Sequence, residues 1–220
     1  RVTIDPITRL EGHGRIEIFL DDEGNVANAY LQVPEFRGFE KFCEGRPVEE
    51  LPRITPRICG VCPSAHHMAS TKATDAVYHV DPPPAAKKLR ELYYCAHMCH
   101  SHIAHFYALA GPDFVLGPTA DPTQRNVLGV IAKVGLDIGG EVIKHRAYAQ
   151  NIQAVIGGKA THSVCGLPGG MSRAITEEER ADFEEKARSM VEFAKFSLKL
   201  FDDVVLANKG YVDLITGPIY

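Results

Sequence analysis

The sequence predicts a mainly α-helical fold with a small β part: a long-helix bundle plus an N-terminal antiparallel hairpin or sheet. Residues 1–51 alternate apolar and polar around a sharp turn, which is the strand period. Residues 52–220 instead carry long apolar stripes at helical spacing, punctuated by Gly and Pro clusters. At 220 residues, with 45% hydrophobic and 24% charged content, the whole is expected to be part of one larger domain, with a β region at 1–51 and a helical region at 52–220.

In the β region, Arg15 to Leu20 and Val26 to Val33 alternate on either side of Asp21-Asp22-Glu23-Gly24-Asn25, a hairpin pattern. After Pro63 the Ala-rich segment Ser64 to Val77 predicts a helix beginning directly behind a cysteine pair. A second helix is expected after Pro82-Pro83-Pro84. Leu89, Leu92, Tyr93, Ala96, His100, Ile103 and Tyr107 mark its inner face, and Gly111-Pro112 marks its end. A third should run from about Asn126 to Ile156 and stop at Gly157-Gly158. The fourth opens on a capping box, Thr176 with Glu179, and continues through Phe183, Met190, Leu198 and Val205 towards Gly210.

Composition excludes several classes. A formal charge of −4 from 24 basic and 28 acidic residues gives no reason to expect nucleic acid or anionic lipid as the main ligand. Apolar runs such as Val127 to Ala132 fall well short of the ~20 residues that span a bilayer. The chain opens on Arg1 rather than Met, without the pattern of a secretory signal, so trimming at one or both ends is expected. Six cysteines, unevenly spread, suit a reducing, cytoplasmic setting better than a disulfide framework. Cys43, Cys95, Cys99 and Cys165 are expected to be small buried hydrophobes.

The chemistry concentrates in Cys59-Gly60-Val61-Cys62. Thiolates are soft donors that select zinc, iron or nickel over magnesium or calcium, and this spacing lets two sulfurs face one ion. A following helix N-terminus and Arg57 both favour the thiolate form, and Gly60 suits the intervening turn. Two sulfurs do not close a site, so a redox dithiol or a zinc knuckle completed by His66 or His67 remains an alternative.

The run Arg57-Ile58-Cys59-Gly60-Val61-Cys62-Pro63-Ser64-Ala65-His66 resembles the N-terminal active-site motif of nickel-iron hydrogenase large subunits, Arg-x-Cys-Gly-x-Cys-x-x-x-His. Upstream, the segment from Asp5 to His13 and the segment from Phe36 to Glu40 are similar to two further family signatures. Downstream, His100 to Tyr107 and Gly157 to Gly170 are similar to later ones, so the resemblance covers nearly the whole chain. The family's second cysteine pair has no counterpart before Tyr220. The resemblance therefore implies the N-terminal half of a large subunit, carrying half a metal site.

It further implies that Cys62 bridges nickel and iron, that Cys59 is a terminal nickel ligand, and that the iron carries carbon monoxide and cyanide. Dihydrogen would be split heterolytically, with Glu11 as the proton-relay carboxylate. Glu40 would help hold magnesium, a hard ion that suits oxygen ligands, and His66 would hydrogen-bond a site sulfur. Without the resemblance, Glu11 reads as an ion-pair partner of Arg9, and Glu40 as one of Lys41 or Arg37. His97, His100, His102 and His105 read as helix-interface groups rather than ligands.

The implied partners are the remainder of the large subunit together with an iron-sulfur small subunit. Glu35 to Phe42 and the doubled His66-His67 look closer to cytoplasmic, carrier-coupled hydrogenases, whose electron partner is a flavin subunit using nicotinamide, a deazaflavin-linked subunit or a heterodisulfide reductase. Two other classes stand beside this one. A non-catalytic subunit like that of respiratory complex I would lack Cys59 and Cys62, and a zinc-binding interaction module would need a further cysteine or histidine to close its site.

Overall fold

The computed structural model describes residues 1–7 and 10–218, and its chain divides into two compact units, Arg1–Arg46 and Pro47–Tyr220. Arg9, the sequence-expected ion-pair partner of Glu11, lies outside the described residues.

In the first unit, β1 (Val2–Ile4), β2 (Arg15–Leu20) and β3 (Val26–Gln32) form an antiparallel sheet in the order β1-β2-β3. The expected hairpin is β2–β3, with Ile16 opposite Leu31 and Ile18 opposite Ala29. β1 was not legible, because three residues are too few to display an alternation. Glu17 anchors the sheet: its carboxylate accepts from Arg1 Nη2 at 2.8 Å, Thr3 Oγ1 at 3.0 Å and Arg15 Nε at 2.6 Å. The Arg1 hydrogen bond, helped by Arg15 and Thr3 against the opposing effect of burial, lowers its pKa to about 2. A short helix α1 (Phe39–Cys43) follows and carries Glu40 in its first turn.

The second unit begins with a 3-10 turn and α2 (Leu51–Ile54), then a 3-10 turn Thr55–Ile58 that delivers the chain to the cysteine pair. Next come α3 (Pro63–Tyr78) and α4 (Pro84–Ala104), both with Pro in the first turn, where its missing N–H costs nothing. Gly111-Pro112 does not end the helical run as expected. A π turn, His105–Ala110, leads straight into α5 (Gly111–Val115), and Pro112 occupies an N-terminal position there. The third expected helix is two, α6 (Val127–Val134) and α7 (Leu136–Gly157), parted at Gly135 with φ 97 and ψ 159, a conformation that favours glycine.

Gly158 in the left-handed region ends α7 where expected. A two-stranded hairpin, β4 (Gly166–Leu167) and β5 (Gly170–Met171), precedes α8 (Glu177–Phe201). The Thr176–Glu179 capping box opens α8 as read from the sequence. Its stripe ends in a π turn, Asp202–Leu206, and Gly210 belongs to a further helix, α9 (Lys209–Thr216), capped by the Asn208 side chain.

Met68, Tyr93, Ala96, Ile152, Ile156, Cys165 and Phe183 form the core where α3, α4, α7 and α8 meet. Each of the larger of these side chains contributes about 1.5–3 kcal/mol by leaving water. An ion pair ties the hairpin to this core. Arg90 of α4 bonds Asp75 of α3 and donates to the carbonyls of Leu167 at 2.9 Å and Gly170 at 2.8 Å, while Asp75 accepts from Gly169 N–H at 2.7 Å. Among the described residues, no helix is long and apolar enough to cross a membrane.

Candidate metal centre

The turn Thr55–Ile58 ends at Cys59, whose extended backbone (φ −134, ψ 131) throws the chain outward. Cys62 then takes the N-cap position of α3, with Pro63 as the first helical residue. The Cys62 carbonyl accepts from Ala65 N–H at 3.1 Å and His66 N–H at 3.4 Å, so His66 lies one turn beyond Cys62 on the same helix face. The Cys62 N–H, one of the donors a helix start leaves unpaired, donates to Cys59 Sγ at 3.0 Å. Gly60 is not in the left-handed region, and a Cβ there would meet nothing within 4 Å. Its expected role in the turn therefore does not come from backbone strain.

The sulfurs of Cys59 and Cys62 and a ring nitrogen of His66 lie within 4.8 Å of one another, and Cys59 is buried while the other two are half-buried. It is the one group of three candidate His, Cys, Asp or Glu ligands found among the described residues. Two thiolates and an imidazole make a soft-to-borderline donor set that fits nickel, iron or zinc and not magnesium. Three donors also leave a four-coordinate ion with an open position, the arrangement of reactive rather than structural sites.

His67 is excluded from the cluster. It is fully buried, its Nδ1–H donates to Pro52 O at 2.6 Å, and its Nε2 accepts from Cys165 N–H at 3.0 Å and Gly166 N–H at 2.9 Å. Burial pushes its pKa down, so the ring stays neutral and joins α2, α3 and the β4 loop. Sequence reading gave it no structural role, and the role could not have been found from spacing because its partners are main-chain atoms.

The remaining cysteines do not complete a site. Cys165 is fully buried and burial pushes its thiol up to about 12, in keeping with the inert role expected. Cys43 is half-buried. Cys95 and Cys99, expected to be buried, are exposed instead, because α4 turns Tyr93, Ala96, His97 and His100 inward and leaves these two on the opposite arc. His102 and His105 are exposed while His97 and His100 line the helix interface.

Arg57 sits in the 3-10 turn before Cys59, and its charge helps lower the pKa of His162, where burial is the larger cause. Glu11 and Glu40 belong to the first unit and are exposed there. Near Glu40, Lys41 pairs with Glu44 at 2.7 Å and Arg37 lies over the Phe39 ring at 5.1 Å. A cleft of about 740 Å³ between α3 and α4 is lined by Ala65, Met68, Lys72, Asp75, Arg90 and Tyr94, and contains neither thiol of the pair.

Comparison with known proteins decides the family. Residues 37–125, which include both cysteines and His66, match the model of the nickel-dependent hydrogenases, and residues 1–36 match a HoxL-like model. The chain belongs to the nickel-dependent hydrogenase family. It is 53% identical to the iron-sulfur subunit of the F420-non-reducing hydrogenase of Archaeoglobus profundus, over 100% of this chain and 45% of that protein. It is 37% identical to the NAD-reducing hydrogenase HoxS subunit beta of Cupriavidus necator, over 97% of this chain and 46% of that protein.

The fold agrees with the family. A crystal structure of an NAD+-reducing [NiFe]-hydrogenase in the H2-reduced state superposes with a TM-score of 0.87 at 37% identity, over 96% of this chain and 47% of that one. The Ni-Fe-Se hydrogenase of Desulfovibrio vulgaris Hildenborough superposes with a TM-score of 0.73 at 32% identity, over 88% and 42%. This hydrogenase-family chain thus spans about half the length of the relatives it matches.

Proposed function

We propose that the chain is the N-terminal part of a hydrogenase large subunit that cleaves dihydrogen reversibly and heterolytically, as part of one larger domain. The observation that carries this is the Cys59–Cys62–His66 cluster at the start of α3, in a chain of this family. When bound, a nickel-iron centre whose iron carries carbon monoxide and cyanide supplies the Lewis acidity and redox capacity the reaction needs. Cys62 would hold both metals as a bridge and Cys59 would hold nickel alone. His66 would donate to a site sulfur and thereby tune its basicity, and Arg57 would place positive charge beside the centre.

Glu11 would take the proton leaving the site, as a carboxylate can when it lies within hydrogen-bond reach of the donor. Glu40 would help hold magnesium through oxygen. The remaining metal ligands would come from the rest of the large subunit, and electrons would pass to an iron-sulfur small subunit, since this chain offers no cysteine set for a cluster of its own. Relatives named F420-non-reducing hydrogenase reach 53% identity, whereas one named coenzyme F420 hydrogenase reaches 31%. These identities favour an acceptor other than the deazaflavin F420, such as a heterodisulfide reductase or a nicotinamide-linked flavin subunit. Six unevenly spread cysteines suit a cytoplasmic location.

Metal analysis of the complete enzyme purified with its partners tests the reading. Cys62→Ser and Cys59→Ser should each remove nickel and dihydrogen oxidation while leaving the helical circular-dichroism signal intact. Full nickel content and full turnover in either variant would contradict it.

A further inference from the structure

Ser64 lies between Cys62 and His66 in the first turn of α3, and its side chain is not spent on capping that helix. Instead it is 1% exposed and bonded across the bundle: it accepts from Tyr93 O–H of α4 at 2.7 Å and donates to Gln153 Oε1 of α7 at 3.0 Å. Tyr93 is 0% and Gln153 2% exposed. The Tyr93 ring packs against Gly157 so closely that a Cβ there would lie 3.1 Å from its Cε2. Neither partner can move without disturbing α4 or α7.

We propose that Tyr93, Ser64 and Gln153 form a positioning triad for the metal centre, a proposal that rests on the reading of Cys59 and Cys62 as its ligands and of His66 as a hydrogen-bond donor to a site sulfur. The geometry supports this in three steps. The hydroxyl is anchored on both sides by groups from two long helices, so the rotation of the first turn of α3 about its axis is fixed. Cys62 and His66 flank Ser64 on that turn, so their side chains are aimed by the same rotation. Both bonds in the relay run in one direction, Tyr93 to Ser64 to Gln153, and removing the last acceptor would leave the buried Ser64 proton without an acceptor and release the first turn of α3 from α7. The triad acts through the start of α3.

The test uses the full-length protein freed of its native metals, titrated with cobalt(II), whose thiolate charge-transfer and ligand-field bands report sulfur ligation and geometry. Gln153→Leu and Ser64→Ala should weaken cobalt binding about tenfold and shift the ligand-field bands, at unchanged helical content. Ser64→Thr, which keeps the hydroxyl, should restore both. Cobalt affinity within twofold of the unsubstituted protein and unshifted bands in both Gln153→Leu and Ser64→Ala would overturn the proposal. Should Gln153→Leu fail to fold, Ser64→Ala and Ser64→Thr decide it alone. A different result, no thiolate band even in the unsubstituted protein, would instead remove the metal-centre reading, and the triad with it.

Discussion

The backbone N–H of Cys62 points at the sulfur of Cys59 across 3.0 Å. This bond ties the Cys59 sulfur to the Cys62 main chain. It uses a donor that the start of α3 leaves spare, and it fixes one sulfur relative to the backbone of the other. A Cys-x-x-Cys placed in a loop would lack this preorganisation.

The adjacent histidines should respond oppositely to substitution. His67→Leu leaves Pro52 O, Cys165 N–H and Gly166 N–H without their buried partner, which costs about 2–4 kcal/mol. His66→Ala removes a half-buried ring with no such burden and should lower the unfolding midpoint little while changing metal binding. Denaturant unfolding and nickel analysis of both variants check the contrast.

Breaking the Asp75–Arg90 pair should cost about 3–5 kcal/mol, since either partner alone is left buried and charged. Burial pushes the Asp75 pKa up, but Arg90 and the Gly169 N–H overcome it and hold the carboxylate below its ordinary value. The double variant Asp75→Leu with Arg90→Met should recover part of the loss. A double-mutant cycle on thermal unfolding reads the coupling directly.

Acid should destabilise the helix bundle through its buried histidines. Burial and the nearby Arg146 lower the pKa of His100 to about 4, and its Nε2 accepts from Arg146 Nε at 3.1 Å and Gln150 Nε2 at 2.8 Å. An unfolded histidine binds a proton as pH falls below about 6.5, whereas folded His100 does not until about 4. Stability is therefore full above the first value, falls between the two, and levels off below the second. His100→Gln should flatten that slope in urea unfolding between the two pH values, and an unchanged slope would remove His100 as the cause.

Glu11→Gln should retain nickel yet lower turnover at least about a hundredfold, because an amide cannot carry the proton. Nickel analysis beside dihydrogen oxidation separates this from a folding defect.

Much of this was legible in the sequence, for identifiable reasons. The capping box at Thr176, the Pro63 helix start and the β2–β3 turn are local signals, and each stands where it was read. The cysteine pair and His66 could be grouped because they lie within one turn of a helix start. What spacing could not reveal depends on partners far along the chain: His67 bonding Cys165 and Gly166, and Ser64 bonding Gln153. The π turns after Ala104 and Phe201 read as helix continuing, since neither segment contains a Gly or Pro to mark a change of helix type. Cys95 and Cys99 were misread from residue type alone, when the stripe through Tyr93, Ala96 and His100 already placed them on the other arc of α4.

The hydrogenase assignment is tested most directly by the infrared spectrum of the native complex, scanned where metal-bound carbon monoxide and cyanide absorb. Bands from both ligands, lost in Cys62→Ser, are expected if Cys59 and Cys62 hold a nickel-iron centre. A spectrum without them, from protein fully loaded with metal, would contradict that centre.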